Sequence, residues 1–514
     1  MSARLSRRTL LAGTMALPAL ALLGCDYDRT TADPINTVDA LDFANRLRMP
    51  PLAHSEVDAG GVRVFQLSAL TGSVEFLPGV ATPTWGYTDG RDGAGGYLGP
   101  TLRAARGERV RVMIENRLSE ITTVHWHGMH LPARSDGGPH QPIAAGERWQ
   151  PEWSIEQPAA TLWYHPHPHG ETEAQTTQGL TGLFYLDDGS NPELPRTYGI
   201  DDIPIILQDR SFDSRGRFLL RDRAVTGLLG DTILVNGTYN PHLPITTRLV
   251  RLRILNASTA RIYHLAFANE REFAVIATDC GFLPVPRQTR RLLLSPAERA
   301  EVLIEVRPGE RLVLRSVPWD LNMITPLTNG AGGNDHLDLL QLQAAGSLAA
   351  GGHLPDRLET KPTVALDFLA ARRVFQLDGR EINGQQMDMT RIDTVVGAET
   401  TELWTIHNTH NQPHNFHIHG VAFQIVPPGA TAPDPGLGWK DTVLLAAGES
   451  VQLVVGFPQY RDPLTPYIYH CHLMWHEDEG MMAQFTVVEP DQVDSAPRIL
   501  AAGHEHMAAD HQHV

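Results

Sequence analysis

The chain has 514 residues, 42% of them hydrophobic, with 45 Gly and 37 Pro. That length exceeds one ordinary core and, at roughly 150 residues per domain, points to about three domains rich in turns and short strands, an all-β protein. A formal net charge of −17 excludes attraction to nucleic acid or anionic lipid and tolerates cationic substrates, including metal ions, although the same charge also serves simply to keep a soluble protein dispersed.

Residues 1–25 read as an address. Ser6-Arg7-Arg8-Thr9-Leu10-Leu11 followed by an apolar run to Leu23 resembles a signal for the twin-arginine translocation machinery. The run contains Gly13 and Pro18 and is shorter than the roughly 18 apolar residues of a spanning helix. Export to the periplasm or the outer cell surface is expected. Leu22-Leu23-Gly24-Cys25 fits a lipoprotein processing site, with a lipid anchor on Cys25, and fits simple cleavage as well. The three cysteines, Cys25, Cys280 and Cys471, exclude a disulfide framework. Cys280 is expected to be a small buried hydrophobe.

Beyond the address the chain repeats itself three times. Val110, Val112 and Ile114 alternate with polar residues and end at Ile114-Glu115-Asn116; Val250, Leu252 and Ile254 end at Ile254-Leu255-Asn256; a third run ends at Ile406-His407-Asn408. Each reads as a half-buried strand closed by Ile-x-Asn. A second echo follows: Ala144-Ala145-Gly146-Glu147, Ser295-Pro296-Ala297-Glu298 and Ala446-Ala447-Gly448-Glu449. Three β-sandwich domains are predicted at 55–190, 191–350 and 355–490, followed by a polar tail, 491–514, whose His504, His506, Met507, His511 and His513 are able to collect copper.

Four His-x-His pairs carry the chemistry: His125-Trp126-His127, His165-Pro166-His167, His417-Ile418-His419 and His470-Cys471-His472. With 24 His in the chain, about one such pair is expected by chance, so four are a signal. On a strand, residues i and i+2 share a face, so each pair aims two imidazoles at one place. Cys471 then points the opposite way from His470 and His472, and links two sites roughly 10 Å apart through its own peptide. Imidazole and thiolate suit copper, and two His, one Cys and a weak axial Met make a blue electron-transfer site. His414, Cys471, His476 and Met481 supply that set. The pairs fall only in the first and third units, so a site built from them lies between those units and leaves the middle one mainly a connector without copper.

With these motifs, and with Gly438-Trp439-Lys440-Asp441-Thr442 and Ile382-Asn383-Gly384-Gln385, the chain from about Val64 to Val488 resembles bacterial three-domain multicopper oxidases: laccases, bilirubin oxidases and copper-efflux oxidases. The resemblance implies three tandem cupredoxin-like Greek-key β-sandwiches and four copper ions. It assigns His414, Cys471, His476 and axial Met481 to type 1 copper, and His125 and His417 to type 2. The two type 3 ions take His127, His165 and His472, and His167, His419 and His470. Dioxygen is the expected acceptor. Reducing it to water consumes four protons, and Asp136 and Glu477 resemble the family's proton-relay carboxylates. Each also reads as an ordinary loop acid. His169 extends the second pair but falls outside the ligand pattern, and is expected behind the ligands or at the surface.

Phenols, bilirubin-like pigments and Cu(I) are all expected reductants of a site with axial Met481. Met387, Asp388 and Met389 stand where copper-efflux oxidases hold a labile substrate copper, and equally read as surface packing. His410 stands where those oxidases place an acid, and their Met-rich insertion is missing, so organic substrates should reach the site more easily than they do there. A monomer is expected. Three other readings compete: a copper-free exported scaffold of the same fold, a copper-storage protein and a copper nitrite reductase. The complete ligand set weighs against each.

Overall fold

The computed structural model describes residues 33–91, 96–220 and 224–500. The expected export signal, Cys25 and the histidines of the tail lie outside the described residues. No helix among the described residues is long and apolar enough to cross a membrane, and the only α-helices there are Thr172–Gln178, Thr325–Gly330 and Met474–Asp478. Strands dominate because apolar residues recur at every second position: Val110, Val112 and Ile114 are buried along Arg109–Asn116 while their neighbours face outward.

Three pairs of sheets follow one another along the chain. In the first, a six-stranded sheet from Ser55–Val57 to Glu152–Ser154 faces a four-stranded sheet ordered Leu102–Ala105, Gly182–Asp187, Ala160–His165, His125–His127. In the second, a seven-stranded sheet carries Leu249–Asn256 between Asp202–Arg210 and Arg299–Glu305 and faces a six-stranded sheet. The third has two five-stranded sheets, one ordered Thr394–Gly397, Met482–Val488, Asp462–His470, His414–Ile418, Thr442–Leu445. A buried apolar cluster fills each sandwich. The segment before the first sandwich was not read from sequence: Asn45–Arg46 pairs in parallel with Pro241–Thr247 and so belongs to the second.

The two sequence echoes turn out to be one structural device. Asn116, Asn256 and Asn408 each end a strand. Their side-chain amides donate to the carbonyls of Ile143, Leu294 and Leu445, the residues just before the repeated turn. Their Oδ1 atoms accept from the backbone N–H two residues on, at Leu118, Ser258 and His410. Each turn is closed in the same way, by Glu147, Glu298 or Glu449 accepting from the backbone N–H three residues earlier. An asparagine that satisfies a strand end and a turn together is worth keeping in every copy.

Candidate metal centre

Strand register brings the histidine pairs together. His165 is the cross-strand partner of His125 in the first sandwich, and His470 that of His417 in the third. His125–His127 is a complete strand, whereas His167, His419 and His472 lie just past strand ends. All eight histidines are at most 1% exposed. The sandwiches meet ring on ring: His127 stacks on His417, and His125 on His419, each with centroids 3.8 Å apart.

In His125, His165 and His417 the outer nitrogen is satisfied and the inner one is not. His125 Nδ1 lies 2.9 Å from the Asp136 carbonyl, His165 Nδ1 2.9 Å from that of Pro166 and His417 Nδ1 2.8 Å from that of Asp441. His125 Nε2, His165 Nε2 and His417 Nε2 are left buried with no partner. His127 is turned the other way, its Nε2 3.0 Å from Asp441 Oδ1 and its Nδ1 unpartnered. His167 Nε2 and His419 Nε2 converge on His470 Nε2, at 3.2 and 3.1 Å. His472 puts its ring 5.0 Å from His127 and 5.1 Å from His165, with both nitrogens unpartnered. Buried lone pairs aimed inward, with the far nitrogens held by carbonyls and carboxylates, are what a bound cation needs.

A second ligand triangle lies on the other side of Cys471. Its Sγ is 3.6 Å from His414 Nδ1 and 3.7 Å from His476 Nδ1, and those nitrogens are 3.0 Å apart. Met481 is fully buried in the same core, and its carbonyl accepts from the Cys471 N–H at 3.1 Å. The thiol therefore serves one triangle while its two chain neighbours serve the histidine cluster. Burial pushes the Cys471 thiol up to about 12 and the imidazoles of His167 and His472 down to about 3, so the imidazoles are neutral at pH 7 while the thiol surrenders its proton only to a metal.

Multicopper oxidase family models match residues 73–191 and 357–491. The chain is 33% identical over 450 residues to the multicopper oxidase mco of Staphylococcus haemolyticus, covering 86% of this chain and 92% of that protein. It belongs to the multicopper oxidase family. The crystal structure of a laccase from Pediococcus acidilactici superposes with a TM-score of 0.79 at 32% identity, covering 90% of this chain and 98% of that one. The cell division protein FtsP of Sodalis glossinidius is also similar, at 35% over 426 residues, 81% of this chain and 88% of that protein. The three sandwiches are thus cupredoxin-like, and copper is the cofactor that membership implies.

In this multicopper oxidase both predicted acids are buried beside the cluster. Asp136 Oδ2 lies 2.7 Å from His419 Nδ1, while its Oδ1 has no hydrogen-bond partner. Glu477, on the helix Met474–Asp478, stands 3.2 Å from His470 Nδ1 and 3.4 Å from His167 Nδ1. His169 is exposed. Met387 and Met389 are half-buried, and the Met387 N–H bonds the Gly480 carbonyl at 2.9 Å beside Met481. Asp388 is exposed and its Oδ1 accepts from Thr390 N and Oγ1.

Three features go beyond what the sequence led us to expect. The second triangle is enclosed: His414 and His476 are 0% exposed. The half-buried His410 and Trp475 stand over it, with His410 Nδ1 3.1 Å from His414 Nε2. Gly227, from the middle sandwich, lies against Trp475. Cys280 is not merely a hydrophobe, since its Sγ donates to Asp441 Oδ2 at 3.2 Å. The middle sandwich, besides joining the other two, reaches the cluster. Its Arg299, fully buried, grips Asp441 through both terminal nitrogens at 2.8 and 2.6 Å. Burial alone would raise the Asp441 carboxyl, but Arg299 holds it below the usual carboxylate range. Asp441 lay within a motif legible in the sequence; the repeated turn Ser295–Glu298 directly precedes Arg299 but did not single it out.

Proposed function

We propose that the chain is a four-copper oxidase that takes single electrons from a phenol or from Cu(I) and passes them to dioxygen, forming water. The carrying observation is the placement of Cys471, with its sulfur in the triangle of His414 and His476 and its neighbours His470 and His472 in the eight-histidine cluster. In this reading His414, Cys471, His476 and Met481 hold the type 1 ion, His125 and His417 the type 2 ion, and the other six histidines the type 3 pair. Bound copper supplies one-electron chemistry at the first position and dioxygen reduction at the second. Cys471 connects the two through its own peptide. Four electrons and four protons turn one dioxygen into two waters. Asp136 and Glu477, each beside a cluster histidine and out of bulk water, are positioned to hand over those protons. Met387, Asp388 and Met389 mark the place where Cu(I) would dock. Export by the twin-arginine route to the periplasm or cell surface, free or anchored at Cys25, completes the proposal, with copper tolerance or phenol oxidation as its role.

The likeness to cell division proteins supports a second reading, an exported scaffold without copper. Ten inward-facing histidines and a buried thiol weigh against it, because a scaffold gains nothing from unpaired buried nitrogens. Oxygen uptake by the copper-loaded protein with Cu(I) and with a dimethoxyphenol, run beside Cys471→Ser, tests both. Uptake that the variant abolishes is the expected result, and the preferred reductant separates a metallo-oxidase from a laccase. No uptake from protein carrying its full copper would overturn the oxidase reading.

A further inference from the structure

The middle sandwich contributes no histidine to either ligand set among the described residues, yet it reaches the cluster through one side chain. Every N–H on the Arg299 guanidinium has an acceptor, and the acceptors span all three sandwiches. Nε donates to the Thr161 carbonyl of the first, at 3.0 Å. Nη1 donates to the Ala297 carbonyl of the second, at 3.0 Å, and Nη2 to that of Asp279, also at 3.0 Å. Both then donate to the Asp441 carboxylate of the third. Asp441 in turn orients two cluster histidines, His127 through its carboxylate and His417 through its carbonyl. It thereby fixes which nitrogen of each faces inward.

The repeated turn shows how this came about in the fold. Gly146 and Gly448 are exposed at their turns, whereas the middle copy, Ser295-Pro296-Ala297-Glu298, is wholly buried and carries Ala297 at φ 73° where the others have glycine. That turn faces the metal centre: Pro296 O accepts from Asn415 Nδ2 at 3.0 Å, and Asn415 Oδ1 accepts the backbone N–H of His472. A turn that meets solvent in two copies has become a socket in the third.

We propose that Arg299 is a positioning residue for the trinuclear histidines, acting through Asp441 on His127 and His417, so that docking of the middle sandwich sets the cluster's geometry. This rests on the copper-cluster reading above. The guanidinium fork suits the role because a lysine offers three donors from one point and cannot span the same five acceptors.

The test compares copper-loaded Arg299→Met and Arg299→Lys with the wild type, reading the blue type 1 absorption, the type 2 paramagnetic signal, the near-ultraviolet type 3 band and the melting curve. The expected result is retained type 1 colour and a cooperative melt. Type 2 and type 3 signals should fall about 10-fold or more in Arg299→Met and less in Arg299→Lys. Retention of all copper signals in Arg299→Met would overturn the proposal, as would equal loss of type 1 and cluster signals in a folded variant. Should Arg299→Met fail to fold, Asp441→Asn, of the same shape but without the charge that Arg299 grips, decides by the same signals. These spectra are read without turnover, so a wild type that holds copper but consumes no oxygen would sink the oxidase reading and leave this one standing.

Discussion

Asp136 Oδ2 accepts the Nδ1 hydrogen of His419 across 2.7 Å, joining residues 283 positions apart in the chain. Asparagine keeps an acceptor for that bond but carries no acidic proton. Asp136→Asn is therefore expected to lower oxygen turnover about 100-fold or more with copper content unchanged. Steady-state oxygen uptake and metal analysis on the same sample check it. A fall in copper instead would make Asp136 a holder of His419 and not a proton donor.

The copper-free protein should be acid-sensitive. His167 and His472 titrate near 3 in the fold because of burial, against about 6.5 in the unfolded chain. Their neutral state costs nothing above pH 6.5. As pH falls from 6.5 toward 3 the unfolded chain binds protons that the native state refuses, and stability drops by up to about 1.4 kcal/mol per pH unit for each such group. Urea midpoints of the copper-free protein at pH 7.5, 5.5 and 4.5 should decline in that order; a flat series would mean the imidazoles charge inside the fold.

Gly128 follows His127 with φ 85°, and a Cβ there would stand 2.6 Å from Asp441 Oδ2 and 2.7 Å from Arg299 Nη2. Gly128→Ala should cost at least about 2 kcal/mol, from left-handed strain and overpacking together. Thermal unfolding should show the loss. An unchanged melting temperature would mean the first sandwich can draw back from the Arg299–Asp441 pair freely.

His410 touches the second triangle from outside. Its Nδ1 meets His414 Nε2, so His410→Ala should keep type 1 copper while changing the rate of substrate oxidation about 10-fold. Rates with both reductants, and the reduction potential of the blue copper, measure this. No change in either would make His410 a bystander.

Period-two burial and the paired histidines made the sandwiches and the histidine pairing legible, because both depend on spacing within a few residues. Ile-x-Asn was legible as a repeat although its purpose, tying a strand end to a turn, needed coordinates. What stayed hidden depends on long-range docking. Arg299 is 142 residues from Asp441, and Asn45–Arg46 crosses into the second sandwich without any local pattern to announce it. Gly227 of the middle sandwich reaches Trp475 in the same unannounced way.

His167 Nε2 and His470 Nε2 are 3.2 Å apart in space and 303 positions apart in sequence. A metal ion gripped by both is, for the polymer, a cross-link closing a loop longer than half the chain. By the chain-entropy estimate such a closure removes about 5–6 kcal/mol of freedom from the unfolded state. The ions that perform the redox chemistry would thus also be the staples that keep the first and third sandwiches from drifting apart, and their loss would be felt as loosened architecture before any substrate is offered.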